Sequence, residues 1–316
     1  MAEPLRPMST GQVLDHTFAL YRRNFLLFIG IAAVGPAANM IFQLLTVGSN
    51  VGSPFRPNNQ AAAAAVMAKL GFGMLFGYLI MLAGMAISHA ATVKAVAAVH
   101  LGQETSIVGA YKALRGRIWS LFGTVALIVL IVGAAALALA IVMVLIIGGM
   151  FAIRAGGGVP DRAAAATLGI VVIVITVVLL ALIVAIYARY AFAIQACVVE
   201  NLGPGTSLKR SVFLSKGGRG RVVVIYLVFF LLAVILGFGL NAIAAAAGSV
   251  LHNRIAAAVL VYLAGFIAGS LTGPLATIGL SLLYYDERIR KEAFDLQLMM
   301  SSLDVPGLPS AAPAQI

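Results

Sequence analysis

Charged residues are what this sequence has least of. Only 10% of its 316 residues are Asp, Glu, Lys or Arg, and 62% are hydrophobic, whereas a soluble domain has about 25% charged residues. The mean hydropathy is +1.06. These values exclude an ordinary soluble globular domain and indicate an integral membrane protein.

Recognisable catalytic chemistry is also missing. Cys197 is the only cysteine, which excludes an intrachain disulfide and a cysteine zinc cluster. The four histidines are scattered, and the sequence has no phosphate-binding loop, nucleophile elbow or His-Glu-x-x-His motif. We therefore predict no enzyme activity, no cofactor and no metal site.

What the sequence does contain is long apolar runs. Six of them, at about 25–47, 70–99, 118–151, 167–199, 222–247 and 255–285, are long enough for a transmembrane helix of about 20 residues. We predict an all-α membrane protein of six transmembrane helices in one domain, 1–300. The polar tail 301–316 has the composition of a disordered terminus.

The basic residues are distributed unevenly around these runs. If the N-terminus is cytoplasmic, sixteen of the 21 Lys and Arg residues fall on the cytoplasmic side, and the other five are Arg56, Lys69, Arg154, Arg162 and Arg254. This is the bias of the positive-inside rule. It predicts a multi-pass protein of the bacterial cytoplasmic membrane with both termini inside. It also explains the net charge of +11 without a nucleic acid partner.

The chain also repeats a short motif. HLGQETS (100–106) and NLGPGTS (201–207) share Leu-Gly-x-x-Thr-Ser, and each precedes a short amphipathic segment, basic residues and an apolar run. The N-terminus opens similarly, with a capping box at Ser9 and Gln12. We predict three parallel repeats, at about 9–100, 101–200 and 201–296, each an amphipathic interfacial helix followed by a helix pair.

Basic clusters recur at one place in these repeats, and they suggest a ring at headgroup depth. Because Lys and Arg near an anionic surface favour binding to it, we predict that anionic phospholipid, such as cardiolipin, is the partner. The alternative is that these charges only set topology. The candidate headgroup residues are Lys209, Arg210, Lys216, Arg219, Arg221, Lys112, Arg115, Arg117, Arg22 and Arg23.

Polar residues within the apolar runs form a second candidate set. Such groups are costly in hydrocarbon and often functional, although hydrogen bonding between helices is the simpler explanation. Arg189 lies either inside the fourth run or at its interfacial end. The set comprises Asn39, Gln43, His89, Arg189 and Asn241.

The stretch YYDERIRKEAFDL (284–296) has seven charged residues among thirteen. It contains four opposite-charge pairs at i,i+4, which are Asp286–Arg290, Glu287–Lys291, Arg288–Glu292 and Lys291–Asp295. We predict a solvated helix continuing the sixth run, with Tyr284 and Tyr285 at the interface, rather than a catalytic cluster.

Three segments resemble the membrane-domain family of bacterial glycerophosphoryl diester phosphodiesterases. They are LRPMSTGQVLDHTFALYRRNFLLFIGI (5–31), ACVVENLGPGTSLKRSVFLSKGGRGRVVVI (196–225) and GPLATIGLSLLYYDERIRKEAFDLQLM (273–299). Some relatives carry a catalytic barrel, whereas this chain resembles only the membrane portion. The resemblance therefore implies family membership and no catalytic residue.

These observations lead to two hypotheses of function. The first is a non-catalytic membrane module that binds lipid or a partner protein and is linked to phospholipid or envelope processes. The alternative is a small-molecule or lipid transporter, which the repeats and the polar groups in the apolar runs suggest.

Overall fold

A computed structural model describes residues 8–51, 60–100, 102–155, 162–251 and 253–292. Within these ranges the regular secondary structure is entirely helical. The helices are α1 (Thr10–Arg23), α2 (Phe25–Ala32), α3 (Val34–Val51), α4 (Gln60–His100), α5 (Ile107–Lys112), α6 (Ile118–Ala155), α7 (Arg162–Tyr190), α8 (Ala193–Val199), α9 (Pro204–Ser215), α10 (Arg219–Val250) and α11 (Arg254–Glu292). The tail 301–316 lies outside the described residues.

Six stretches are long and apolar enough to cross a membrane, which is compatible with a multi-pass membrane protein. They are Phe25–Leu44, Leu75–His100, Ile118–Ile146, Gly169–Val199, Arg219–Val250 and Ile255–Glu292. The predicted six segments are therefore confirmed. The first is divided at Ala33 into α2 and α3, and Pro36 lies in the first turn of α3, where a missing amide hydrogen is tolerated.

The packed centre of the molecule is formed by α11 with α10, α3 and α4. α10 approaches α11 closely at Gly279, where an added Cβ would lie 2.8 Å from the Phe229 ring. On the same helix an added Cβ at Gly269 would lie 3.0 Å from the Pro36 ring of α3, whereas a Cβ at Gly265 or Gly273 would meet nothing within 4 Å. α11 therefore lies close to α10 at Gly279 and to α3 at Gly269.

α1 was predicted to be an amphipathic helix at the membrane interface, but in the structure it packs along α11. Its capping box at Ser9 and Gln12 is present. The Met8 amide donates to Asp286, however, and the Tyr21 hydroxyl donates to the Leu271 carbonyl. α1 thus runs antiparallel along α11, because burying Val13 and Thr17 against α11 satisfies its apolar face within the protein.

Two turns before long helices match each other closely. Gly116 and Gly217 adopt φ of +86° and +85°, a region that favours glycine. They are followed by α6 at Ile118 and α10 at Arg219. Both pairs are separated by the 101 residues that separate the two Leu-Gly-x-x-Thr-Ser motifs. The turn before α2 differs, since Asn24 has φ of −122°.

Candidate functional site: a buried ionic cluster and a basic groove

The charged end of α11 is packed inside the protein. The helix continues to Glu292 as predicted, and the Asp286, Glu287 and Arg288 pairs with residues four positions later are present. The prediction of a solvated helix is wrong, however, because Asp286 is 0% and Glu287 4% exposed. The fourth predicted pair includes Asp295, which lies outside the described residues.

The two tyrosines before these charges are buried as well. Tyr284 is 0% and Tyr285 5% exposed, so the prediction of interfacial aromatic residues is also wrong. The Tyr284 hydroxyl donates to Glu200, and the Tyr285 ring stacks on His100 at a centroid distance of 5.4 Å. Both rings pack against other helices, which removes them from the surface.

We call these charges and the residues that pair with them the ionic cluster. Its members come from the end of α8, from α9, from the start of α10 and from the end of α11. They are Glu200, Arg210, Arg221, Asp286, Glu287, Arg288, Arg290, Lys291 and Glu292.

One half of the ionic cluster centres on Asp286. Its carboxylate accepts from Arg221 Nη1 at 2.6 Å, from Arg290 Nε at 2.9 Å and from the Met8 amide at 2.6 Å. Both arginines also donate to the Met8 carbonyl at 2.8 Å. Because a buried charge is costly unless paired and hydrogen-bonded, these contacts hold the N-terminal end of α1, α10 and α11 together.

The other half centres on Glu200. Arg210 donates through Nε to Glu200 Oε2 at 2.8 Å and through Nη2 to Glu292 Oε2 at 2.7 Å. Arg288 bridges the same two carboxylates. Burial disfavours the charged Arg210 guanidinium, but hydrogen bonds to Glu292 and Glu200 raise the pKa of Arg210 above its ordinary value. Arg210 is thus held in its charged form between α8, α9 and α11.

Lys291 connects the cluster to the end of α9. Its ammonium donates to the Lys216 carbonyl at 2.7 Å and to the carbonyls of Phe213 and Leu214. These carbonyls lie at the C-terminal end of α9 and just beyond it, where the last turn of a helix leaves acceptors exposed; Phe213 also accepts from the Lys216 amide at 3.3 Å. Lys291 also pairs with Glu287 at 3.2 Å. One cation therefore caps α9 and fixes it against α11.

A row of serines joins α9 to the end of α7. Ser207, Ser211 and Ser215 are fully buried at intervals of four residues. Ser211 and Ser215 donate to the Arg189 carbonyl, and Ser211 accepts from the Phe192 amide at 3.0 Å. Ser211 and Ser215 thus provide hydrogen-bond partners for the backbone carbonyl and amide at the break between α7 and α8.

A groove lined by basic residues lies beside this break. It has a volume of about 500 Å³ and is lined by Arg189, Val212, Lys216, Gly217, Arg219 and Gly220. The three basic side chains are exposed, and none of them forms an ion pair within the described part of the chain. We call this feature the basic groove.

The predicted headgroup residues do not form one ring. Arg210 and Arg221 lie within the ionic cluster, so sequence reasoning placed them in the wrong environment. Tyr21 contacts Leu271, whereas Arg221 contacts Asp286. Arg22 and Arg23 are therefore offset from the start of α10 by about fifteen residues of α11, roughly 22 Å.

The other predicted headgroup residues are exposed. Lys209 lies on α9, Lys112 is the last residue of α5, and Arg115 lies in the turn that follows. Arg117 donates to the Asn201 carbonyl. Only Lys216 and Arg219 of the predicted set line the basic groove, and Arg189 joins them there.

The predicted intramembrane polar residues line separate cavities: Arg189 lines the basic groove, Asn241 lines one of about 390 Å³ on α10, and His89 lines a third. The His89 cavity has a volume of about 160 Å³ and lies between α3, α4 and α11, where His89 Nδ1 is 3.4 Å from the Thr277 hydroxyl. Asn39 and Gln43 are not part of the described lining. Asn241 lies on α10 and donates to the Gly237 carbonyl at 2.8 Å. The structure does not bring these polar groups together.

Sequence reasoning missed Glu200 and the α9 serines. Glu200 is one of only ten acidic residues, and its position directly before the second Leu-Gly motif was the available signal. Within the described residues, no three His, Cys, Asp or Glu side chains gather in a way that could hold a metal ion. Comparisons with protein-family models, curated proteins and solved structures find no match.

Proposed function

We propose that this protein is a non-catalytic, multi-pass protein of the bacterial cytoplasmic membrane that binds anionic phospholipid through its basic end. The supporting observation is an imbalance of charge. The ionic cluster uses four acidic side chains internally, whereas Lys209, Lys216 and Arg219 remain exposed. Exposed cations beside apolar helices are attracted to anionic lipid surfaces.

The proposed orientation places both termini and the ionic cluster in the cytoplasm. It rests on the excess of Lys and Arg on one side of the six apolar helices. Reporter fusions after Gly52 and after Ile316 are expected to report opposite sides of the membrane. Two fusions that report the same side would refute this topology.

The organisation in three repeats is part of the same proposal. Two copies are supported by the 101-residue offset that relates Gly116 to Gly217 and the start of α6 to the start of α10. The first copy has the same element order, a short helix before two apolar stretches, but its turn at Asn24 differs. We infer that this copy diverged when α1 packed along α11.

A direct measurement of lipid preference tests the proposed binding. The purified protein is titrated in mild detergent with short-chain phosphatidylglycerol and, separately, with short-chain phosphatidylcholine, and bound lipid is counted by native mass spectrometry. We expect tighter binding of phosphatidylglycerol, with a preference that weakens as salt is added because the attraction is screened. Equal binding of the two lipids would refute the proposed function.

A transporter is the second candidate, and the cavity beside His89 is the observation that favours it. Most hydroxyl groups that line this cavity already donate hydrogen bonds to backbone carbonyls. Ser88 donates to the Ile31 and Ala32 carbonyls, and Thr272 donates to the Ala268 carbonyl. A transport pathway would make this cavity accessible from each side in turn. The test introduces Thr277→Cys into a Cys197→Ser background and labels it with a membrane-impermeant thiol reagent. Labelling from neither side would exclude the pathway.

A further inference from the structure

The basic groove is built by three elements that meet at one point. Arg189 lies one residue before the end of α7, Lys216 follows α9, and Arg219 begins α10. Gly217 and Gly220 contribute no side chain, which leaves the wall between the cations concave. Gly217 can make this turn because it adopts φ of +85°, which other residues rarely tolerate.

The ionic cluster explains why these three cations remain available. Arg210 and Arg221 are close in sequence to Lys216 and Arg219, but they point to Glu200, Glu292, and the acidic pair on α11. Among the described residues that line the groove, none is acidic. In addition, Arg219 and Gly220 are the first two residues of α10 and line the groove, and the N-terminus of a helix, with its unpaired amides, favours an anion.

The surface next to the groove is apolar and exposed. On α10, Gly220 is followed on the same helix face by Val224, Leu227 and Leu231, which are 45%, 52% and 48% exposed. α7 lies alongside, since the Tyr187 and Tyr226 rings are 4.8 Å apart. An anion with a long hydrocarbon chain would fit both surfaces, whereas a free phosphate ion would use only the groove.

The length of α7 is consistent with a groove at headgroup depth. α7 begins at Arg162, so Arg189 is 27 residues further along the helix. At 1.5 Å per residue this is about 40 Å, the thickness of a bilayer including its headgroup regions. In a helix that crosses the bilayer, a cation at that position reaches the level of the lipid phosphates.

We propose that the basic groove binds the phosphate group of an anionic phospholipid, with an acyl chain lying along the exposed face of α10. This inference rests on the proposed lipid-binding function and assigns it to Arg189, Lys216 and Arg219. The two guanidinium groups can each donate two hydrogen bonds to phosphate oxygens, and the ammonium group adds a third positive charge. A groove of about 500 Å³ lies within the size range of small-molecule sites.

The test compares two variants that lose the same charge. The groove variant carries Arg189→Gln, Lys216→Gln and Arg219→Gln. The control carries Arg22→Gln, Lys112→Gln and Arg115→Gln. All six side chains are exposed, so neither variant is expected to lose its fold, which far-UV circular dichroism and size-exclusion elution check. Phosphatidylglycerol binding is measured by native mass spectrometry. We expect the groove variant to bind about 100-fold more weakly and the control less than about threefold more weakly.

Each other outcome has a definite meaning. Equal weakening in both variants, or none in either, would overturn the groove assignment while leaving a wild-type preference for anionic lipid intact. Absence of that preference in the wild type would refute the proposed function itself. If the groove variant does not purify, single Arg219→Gln is expected to weaken binding about fivefold, and unchanged binding would overturn the assignment.

A competition arm identifies the source of the phosphate. Glycerol phosphate is added as a soluble competitor of phosphatidylglycerol. Poor competition supports a lipid ligand, since the soluble ester lacks the chain that contacts α10. Displacement at concentrations similar to those of the lipid would overturn the lipid assignment and indicate a soluble phosphate ester.

Discussion

Replacing Asp286 with asparagine is the sharpest test of the ionic cluster. The carboxylate is 0% exposed and accepts from Arg221, Arg290 and the Met8 amide. Asparagine has nearly the same volume but removes the negative charge, so the two guanidinium groups lose a common partner. The substitution therefore tests the electrostatic contribution without creating a large cavity.

The expected loss of stability is large. Removing one partner of a buried ion pair costs about 3–5 kcal/mol, because the remaining charge is left uncompensated. Arg221 retains Glu287 at 3.0 Å and is partly exposed, which places the expected value near the lower limit, about 3 kcal/mol. The matched control is Asp15→Asn on the exposed side of α1, which we expect to change stability by less than about 0.5 kcal/mol.

Equilibrium unfolding in mixed micelles of a mild detergent and dodecyl sulfate, followed by far-UV circular dichroism, measures both variants. A double-mutant cycle with Arg221→Met adds a second criterion, since contacting residues show coupling of about 0.5–3 kcal/mol. If Asp286→Asn destabilised no more than Asp15→Asn, or if the cycle showed no coupling, the ionic cluster would not stabilise the fold.

Two further substitutions test packing and backbone satisfaction. Ser211→Ala leaves the buried Phe192 amide without its acceptor and is expected to lower the free energy of unfolding by about 1–3 kcal/mol. The control, Ser249→Ala at an exposed site on α10, is expected to be nearly neutral. Equal effects of the two substitutions in the unfolding assay would show that Ser211 does not stabilise the break between α7 and α8. Gly279→Ala places a methyl group 2.8 Å from an aromatic ring of α10 and is expected to cost about 1–3 kcal/mol through overpacking. Gly265→Ala, with open space around it, is expected to be neutral or stabilising, and a larger loss there would refute the packing argument.

The features predicted correctly from the sequence are those set by local composition. Apolar runs of more than 20 residues must satisfy their backbone groups internally in a membrane, which is why the six segments could be assigned without tertiary information. The capping box at Ser9 and Gln12 and the i,i+4 pairs within α11 also depend only on residues one turn apart.

The environment of the α11 charges could not be predicted in the same way. A helix with paired charges on one face has the same sequence pattern whether that face meets water or other helices. Burial of Asp286 depends on Arg221, 65 residues away, and on Met8, 278 residues away. No local periodicity carries that information. The same holds for α1, whose amphipathic pattern fits an interfacial helix and equally fits packing against α11.

The scarcity of acidic residues decides which cations are available to a ligand. Counting Lys and Arg along the chain indicates orientation, because the positive-inside rule depends on position and number. Binding depends instead on which cations remain without an acidic partner. Glu200, Asp286, Glu287 and Glu292 engage Arg210 and Arg221 from the densest basic segment. Because these four carboxylates pair with the neighbouring arginines and lie outside the groove, Lys216 and Arg219 remain available to bind the proposed lipid phosphate.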